Sequence, residues 1–311
     1  MSIIAAPVRG VARPASTPRR GRFPFGRAVA WLYLIVILFI TIFPFYWILR
    51  TALSNNFQLS TDPSSILPVG FSFGGFERAL GLLSGPRAVA QGGSGASVNM
   101  ALYLRNSVIY ATVLTACVVF CSAMAAYAFA RLQWRGRNLV FSILLCALMV
   151  PTVLTLLPNF VLIKDLGLTN TFTGMILPGA FFSAFNIFFL RQFMLGLSRE
   201  IEEAALMDGA GPLKVFLRIT LPMTTAPMAT LALLTFINTW NDYFWPLLVT
   251  NDDSVRPLTL GLAIFKQSSP QASIDWSGLM SATLVAAIPM LLLFVIFGKR
   301  IINSIGFTGI K

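Results

Sequence analysis

Five stretches, at about 28–49, 107–130, 139–163, 174–195 and 280–298, are each apolar over about twenty residues or more, and together they hold one charged residue, Arg191. A helix crossing a bilayer needs about 20 such residues, because the hydrocarbon core is about 30 Å thick. Lipid offers no partner for backbone amides, so a segment this long and uncharged must be helical. A sixth window, about 223–250, is weaker. Its apolar run at 226–237 gives way to Asn238, Asn241 and Asp242 before 244–249 resumes. It is kept as a span because otherwise the basic end Lys299–Arg300 would lie on the opposite side from the basic N-terminus. The expectation is an all-α integral membrane protein with six transmembrane helices.

The rest of the composition agrees. Charged residues are 11% of the chain, against roughly 25% in a soluble protein. That excludes a soluble enzyme, a disordered protein and a disulfide scaffold. The chain has no His, which excludes His-based acid–base catalysis and His-ligated metals. Cys117, Cys121 and Cys146 lie in apolar runs and read as small hydrophobes; a metal would need more ligands.

The net charge of +12 is distributed as a membrane protein requires. With six spans and the N-terminus inside, the inner segments carry 16 bases and four acids, and the outer segments seven of each. Basic residues retained on the cytoplasmic side account for this, and nucleic acid is not needed. Six arginines, from Arg9 to Arg27, precede the first window like the start of a signal peptide. That window is too long and lacks a small-residue cleavage site, so it reads as an uncleaved span. The expected organisation is a basic cytoplasmic tail at 1–27, a transmembrane domain at 28–298 and a cytoplasmic tail at 299–311. The outer loop at 51–106 is long, with Gly and Ser near 91–97 and a short helical candidate at 76–83; it suits a cap, a partner contact or a tolerated insertion. Pro44, Pro151, Pro158, Pro178 and Pro289 are expected to kink or unwind their spans.

The inner loop at 198–222 is the most informative segment. Ser198 suits an N-cap, and Glu200, Glu202 and Glu203 fall in the first turns, where the helix dipole favours acids. Ala204 and Ala205 favour helix. Gly209 is placed to end the helix in a left-handed conformation, and Pro212 suits the first position of a second helix. The loop therefore reads as a helix–turn–helix on the cytoplasmic face. Physical reading alone leaves two roles open: a docking element that couples to another protein, or a solvated connector.

The pattern Glu203-Ala204-Ala205, three residues, Gly209, nine residues, Ile219, one residue, Leu221-Pro222 resembles the EAA motif of the permeases of ATP-binding-cassette importers. The run Trp240-Asn241-Asp242-Tyr243-Phe244-Trp245-Pro246-Leu247 is similar to the fifth-span motif of their carbohydrate branch. The ending Gly306-Phe307-Thr308-Gly309-Ile310-Lys311 is similar to that of the maltose-type G permeases, whose tail contacts the ATPases. The resemblance implies a type I importer permease fold. It implies that Glu203, Ala204, Ala205, Asp208, Gly209, Ile219, Leu221 and Pro222 form the ATPase-coupling site, with Glu203 facing a basic residue of the ATPase. It also implies a second permease, two ATP-binding subunits and an extracytoplasmic solute-binding protein. The chain has no phosphate-binding loop of its own, so ATP and its Mg are expected on the partner, and no cofactor, metal or catalytic residue here.

For the solute path, Asn238, Asn241, Asp242 and Trp245 are spaced i, i+3, i+4, i+7 and are expected to share one face of the fifth span. Asn159 and Asn186 add polar groups at membrane depth. Costly in lipid, such groups face a cavity or a neighbouring helix; amides, an acid and a ring suit a sugar. The expected function is a carbohydrate importer permease. Permeases for glycerol phosphate or another small polar solute, a stand-alone secondary transporter or channel, and a membrane scaffold are the alternatives.

Overall fold

The computed structural model describes residues 25–93, 99–268 and 274–306, with side chains from 26 to 297 within those ranges. The basic tail at 1–24, part of the Gly/Ser stretch, the side chains of Lys299 and Arg300, and the terminal motif from Phe307 lie outside the described residues. Among the described residues every regular element is helical. The chain divides into two units, one ending at Tyr46 and the other beginning at Trp47.

The first unit contains most of α1 (Phe25–Ala52), which passes through Pro44 without a break. In the second unit, three short helices follow: α2 (Asn56–Thr61), α3 (Gly74–Ala79) and α4 (Gly85–Ala90). Then comes α5 (Met100–Arg131), whose 32 residues extend about 48 Å, longer than the hydrocarbon core is thick. Arg137–Met149, containing α6 (Arg137–Cys146), and α7 (Thr152–Asp165) meet at a bend of 102°, and α8 (Phe172–Ala180) and α9 (Ala184–Leu195) at 46°. The inner loop holds α10 (Glu200–Met207), α11 (Pro212–Val215) and α12 (Leu221–Met223); α13 (Thr225–Trp240), α14 (Phe244–Val249), α15 (Leu258–Ser268) and α16 (Trp276–Gly306) complete the chain. Among the described residues three helices are long and apolar enough to cross a membrane, and up to six spans result if each bent pair is one.

The core forms around α5. Its buried face is rich in small residues, with Ala111, Ala123, Ala126 and Ala130 essentially inaccessible, which lets neighbouring backbones approach closely. One cluster joins Ala123, Ala126 and Tyr127 of α5 to Leu190 and Met194 of α9, Phe216 and Leu231. Another joins Tyr110, Leu114 and Val118 to Ile163 of α7, Met175 of α8, and Trp245 and Val249 of α14. Cys117 packs against that second cluster.

The proline expectation holds in part. Pro151 stands at the 102° bend, so the expected third span is not one straight helix. Pro178 lies in α8 just before its bend. Pro158 and Pro289 sit inside unbroken helices. The fifth span also differs: α13 stops at Trp240, and 241–243 is non-helical before α14 begins. Asn241 accordingly folds its amide back onto the Ile237 carbonyl, at 2.8 Å, and caps the helix instead of continuing it.

The long outer loop is a built structure. Arg78 of α3 makes a bidentate pair with Asp275, just before α16: Nε to Oδ2 at 2.6 Å and Nη2 to Oδ1 at 2.8 Å. Nη2 also donates to Ser277 Oγ, and Nη1 to Gln91 Oε1. The two charged side chains are 4% and 1% exposed. A Cβ on Gly75 would come within 2.7 Å of the Ser277 carbonyl oxygen, so a second glycine at the Gly74–Gly75 pair lets α3 lie directly on α16. The helical candidate at 76–83 is realised two residues earlier, as α3.

Candidate coupling site and solute path

The inner loop is built by local rules. The N-cap of α10 is Arg199, one residue after the expected Ser198, whose Oγ accepts from the Glu200 amide at 3.3 Å. The helix ends in a Schellman motif: Ala210 N–H donates to Ala205 O at 3.0 Å and Gly209 N–H to Leu206 O at 3.1 Å. Gly209 has φ +78°, and a Cβ there would meet nothing within 4 Å. The backbone conformation alone therefore demands glycine. Gly211 is the next N-cap and Pro212 opens α11. The helix passes through a π turn at Phe216–Thr220 before α12. Pro222 lacks the amide that an α-helix would send to residue 218, and the wider turn accommodates it. At Thr224 the chain bends by 77° into α13.

The loop is two-sided. Glu202, Val215, Phe216 and Thr220 are buried, while Met207 (84% exposed), Leu213, Ile201, Leu206 and Leu217 are exposed. Of the residues read as coupling, Glu203, Ala204, Asp208, Gly209 and Pro222 are exposed, and Ala205, Ile219 and Leu221 are half-buried. Leu221 packs on the cluster around Phe216. The sequence reading singled out Glu203 and overlooked Glu202. Glu202 pairs with Arg131 at the end of α5, with Nε to Oε2 at 2.9 Å, and accepts from Thr220 Oγ1 at 3.1 Å. A base closing the second span and acids in a different loop on the same side were the available signal; which of three glutamates turns inward was not.

The six polar residues at membrane depth separate into two groups. Asn186 is buried and donates to Thr235 Oγ1 of α13 at 3.4 Å. Asp242 accepts from Tyr110 Oη at 3.0 Å and from the Trp245 amide at 3.4 Å, and its carbonyl accepts from Thr259. Trp245 is buried and donates Nε1 to the Met175 carbonyl at 3.0 Å. These three make hydrogen bonds that hold helices and the α13–α14 break together. Asn238 and Asn241 are exposed and Asn159 is half-buried. Because the helix breaks at 241–243, Asn238, Asn241, Asp242 and Trp245 do not share one helical face, and that expectation is corrected.

On the opposite side of the spans, Asn170, with φ +61°, joins two loops. Its Oδ1 accepts from the amides of Asn251 and Asp252. The Asp252 carboxyl lies below its ordinary range, first because the Ser254 amide donates to it.

A profile of the family described as "Binding-protein-dependent transport system inner membrane component" matches residues 118–305. The chain belongs to this family. It is thus a membrane permease of a transport system, not an enzyme, and works with a binding protein and an ATPase. The match includes α9 to α14 and the whole two-sided inner loop. This permease is 32% identical, over 89% of its length and 87% of the relative's, to the diacetylchitobiose uptake system permease protein NgcG of Streptomyces coelicolor. It is 30% identical, over 91% of its length and 96% of the relative's, to the sn-glycerol-3-phosphate transport system permease protein UgpE of Brucella abortus. Its fold is similar, with a TM-score of 0.67 and 22% identity, to a chain in the crystal structure of a bacterial ABC transporter involved in the import of the acidic polysaccharide alginate. That match covers 91% of this chain and 99% of the other.

Proposed function

We propose that this permease imports a carbohydrate delivered by an extracytoplasmic binding protein, forming half of a translocation path whose other half is a second, different permease, and that its inner loop docks one of the importer's two ATPase copies. The observation that carries this reading is the loop's outward face, Ile201, Leu206, Met207, Leu213 and Leu217. Apolar residues on a short, capped, polar helix–turn–helix need a partner surface. The acids of α10 and the small Ala204 and Ala205 fit a basic partner that approaches closely. ATP and its Mg belong to that partner. ATP closes the ATPase pair, the docked loops move, and the helices alternate their access. Asn159, Asn238 and Asn241 are the side chains left to meet the solute, since Asn186, Asp242 and Trp245 are engaged between helices.

Relatives such as the diacetylchitobiose permease support a sugar. The glycerol-phosphate relative supports the second reading, a small phosphorylated solute. The test is capture through this chain of an ATPase in stoichiometric amount, followed by calorimetry on the binding protein encoded beside it. An oligosaccharide ligand is expected; glycerol 3-phosphate as the ligand would establish the second reading. Absence of an ATPase would overturn both.

Both termini are assigned to the cytoplasm. Ser60 and Ser198, replaced singly by cysteine in a chain without Cys117, Cys121 and Cys146, should react with an impermeant reagent from opposite faces. Labelling from one face would overturn the six-span topology.

A further inference from the structure

We infer that the Arg131–Glu202 pair, with Thr220, is a rigid strut that carries movement of the docked α10 into the α5 span. The inference rests on the reading that α10 docks an ATPase. Glu202 is the one buried residue of α10. The other seven are exposed or half-buried, so this carboxylate is the main hold the bundle has on the helix. Both charged side chains are almost dry, Arg131 at 5% and Glu202 at 8%. In such surroundings a charged hydrogen bond is short, directional and little weakened by salt.

Four elements meet at the pair. Arg131 is the last residue of α5, and its Nη2 donates to the Leu197 carbonyl at 3.0 Å, just beyond α9. Glu202 belongs to α10, and its Oε1 accepts from Thr220 in the π turn. The Thr220 carbonyl then accepts from the Thr224 hydroxyl at 3.0 Å, at the bend into α13. A shift of α10 is therefore passed to the ends of α5, α9 and α13 through bonds rather than through side-chain packing alone. Glu203, the next residue, is exposed and makes no such link. The two neighbouring acids thus have opposite tasks, Glu203 toward the partner and Glu202 toward the bundle.

The test measures the strut directly and needs no knowledge of the solute. Spin labels are placed at Leu206 on α10 and Val113 on α5, both exposed side chains, in the complex purified with its ATPase. ATP with vanadate is the probe. In the natural strut, the distance between the labels should change by less than about 2 Å on trapping, while the whole unit moves. Single neutralisation, Glu202→Gln, leaves a buried guanidinium unpaired and can unfold the loop, so the deciding variant is the double Arg131→Met/Glu202→Leu. It removes both charges and keeps apolar bulk. This double variant should still bind the ATPase, but its label distance should shift by more than about 3 Å as α10 moves and α5 lags. The ratio of binding-protein-stimulated to unstimulated ATPase rate should fall about tenfold, a coupling loss near 1.4 kcal/mol.

A shift of that size in the natural chain would overturn the strut, and so would an unchanged distance and rate ratio in the double variant. Failure of the natural complex to retain any ATPase would overturn the docking reading and the strut with it. Retention of the ATPase with a flexible α10 would overturn the strut alone.

Discussion

Gly209→Val is expected to leave the chain in the membrane and to abolish solute transport. The position has φ +78° with open space around a Cβ, so the effect is conformational. A β-branched residue is a rare occupant of that region, and holding it there costs about 1–3 kcal/mol, which is on the order of 5- to 150-fold in the population of the native turn. The Schellman bonds from Gly209 and Ala210 to Leu206 and Ala205 would be lost with the turn. The second helix of the loop would then leave α10 in a different direction. Gly209→Asn should be much milder, because asparagine tolerates a left-handed backbone. Ala205→Trp should have the same outcome as Gly209→Val by another route, bulk against the approaching ATPase. Uptake in cells and ATPase retention on purification are the measurements. Natural levels of both in Gly209→Val and Ala205→Trp would mean that the loop is a connector.

Arg78→Leu should give the largest loss of stability. Arg78 and Asp275 are joined by two bonds and are nearly inaccessible. Removing the guanidinium leaves the Asp275 carboxylate buried without its partner, which costs about 3–5 kcal/mol. Asn56 ties α2 to the start of α16, and Arg78 ties α3 to Asp275 and to Gln91 at the end of α4, so α3 and α4 should detach together. Arg78→Leu/Asp275→Leu should recover a good part of the loss, because neither charge is then stranded. Thermal unfolding of the detergent-purified protein measures this. A single variant melting within about 1 °C of the natural chain would contradict it, since even 1 kcal/mol moves a midpoint by about 2–4 °C in a chain of this size.

The two regions differ in how far they could be read beforehand. In the inner loop, Gly209 and Pro212 act through their own backbone, and each does in the structure what its chemistry requires, while the N-cap falls on Arg199, one residue beyond Ser198. In the outer loop, Arg78 and Asp275 are 197 residues apart, and neither carries a mark of its partner. The fifth span lies between these cases. Asn241 and Asp242 were legible as an interruption of an apolar run. That the interruption is a break, with Asp242 held by Tyr110, depends on where α5 passes.

The class of protein, the number of apolar windows, the helix–turn–helix and the family motif were all legible in the order of residues alone. These rest on run length, helix-end chemistry and backbone preference, which act over a few residues. It took the packed fold to show that Glu202 rather than Glu203 anchors α10, that Asn186, Asp242 and Trp245 bind neighbouring helices, and that the third window turns by 102° at Pro151 and not at Pro158. The reason is physical: a polar group in an apolar bundle must find a partner or a cavity, and packing, not local sequence, brings that partner within reach.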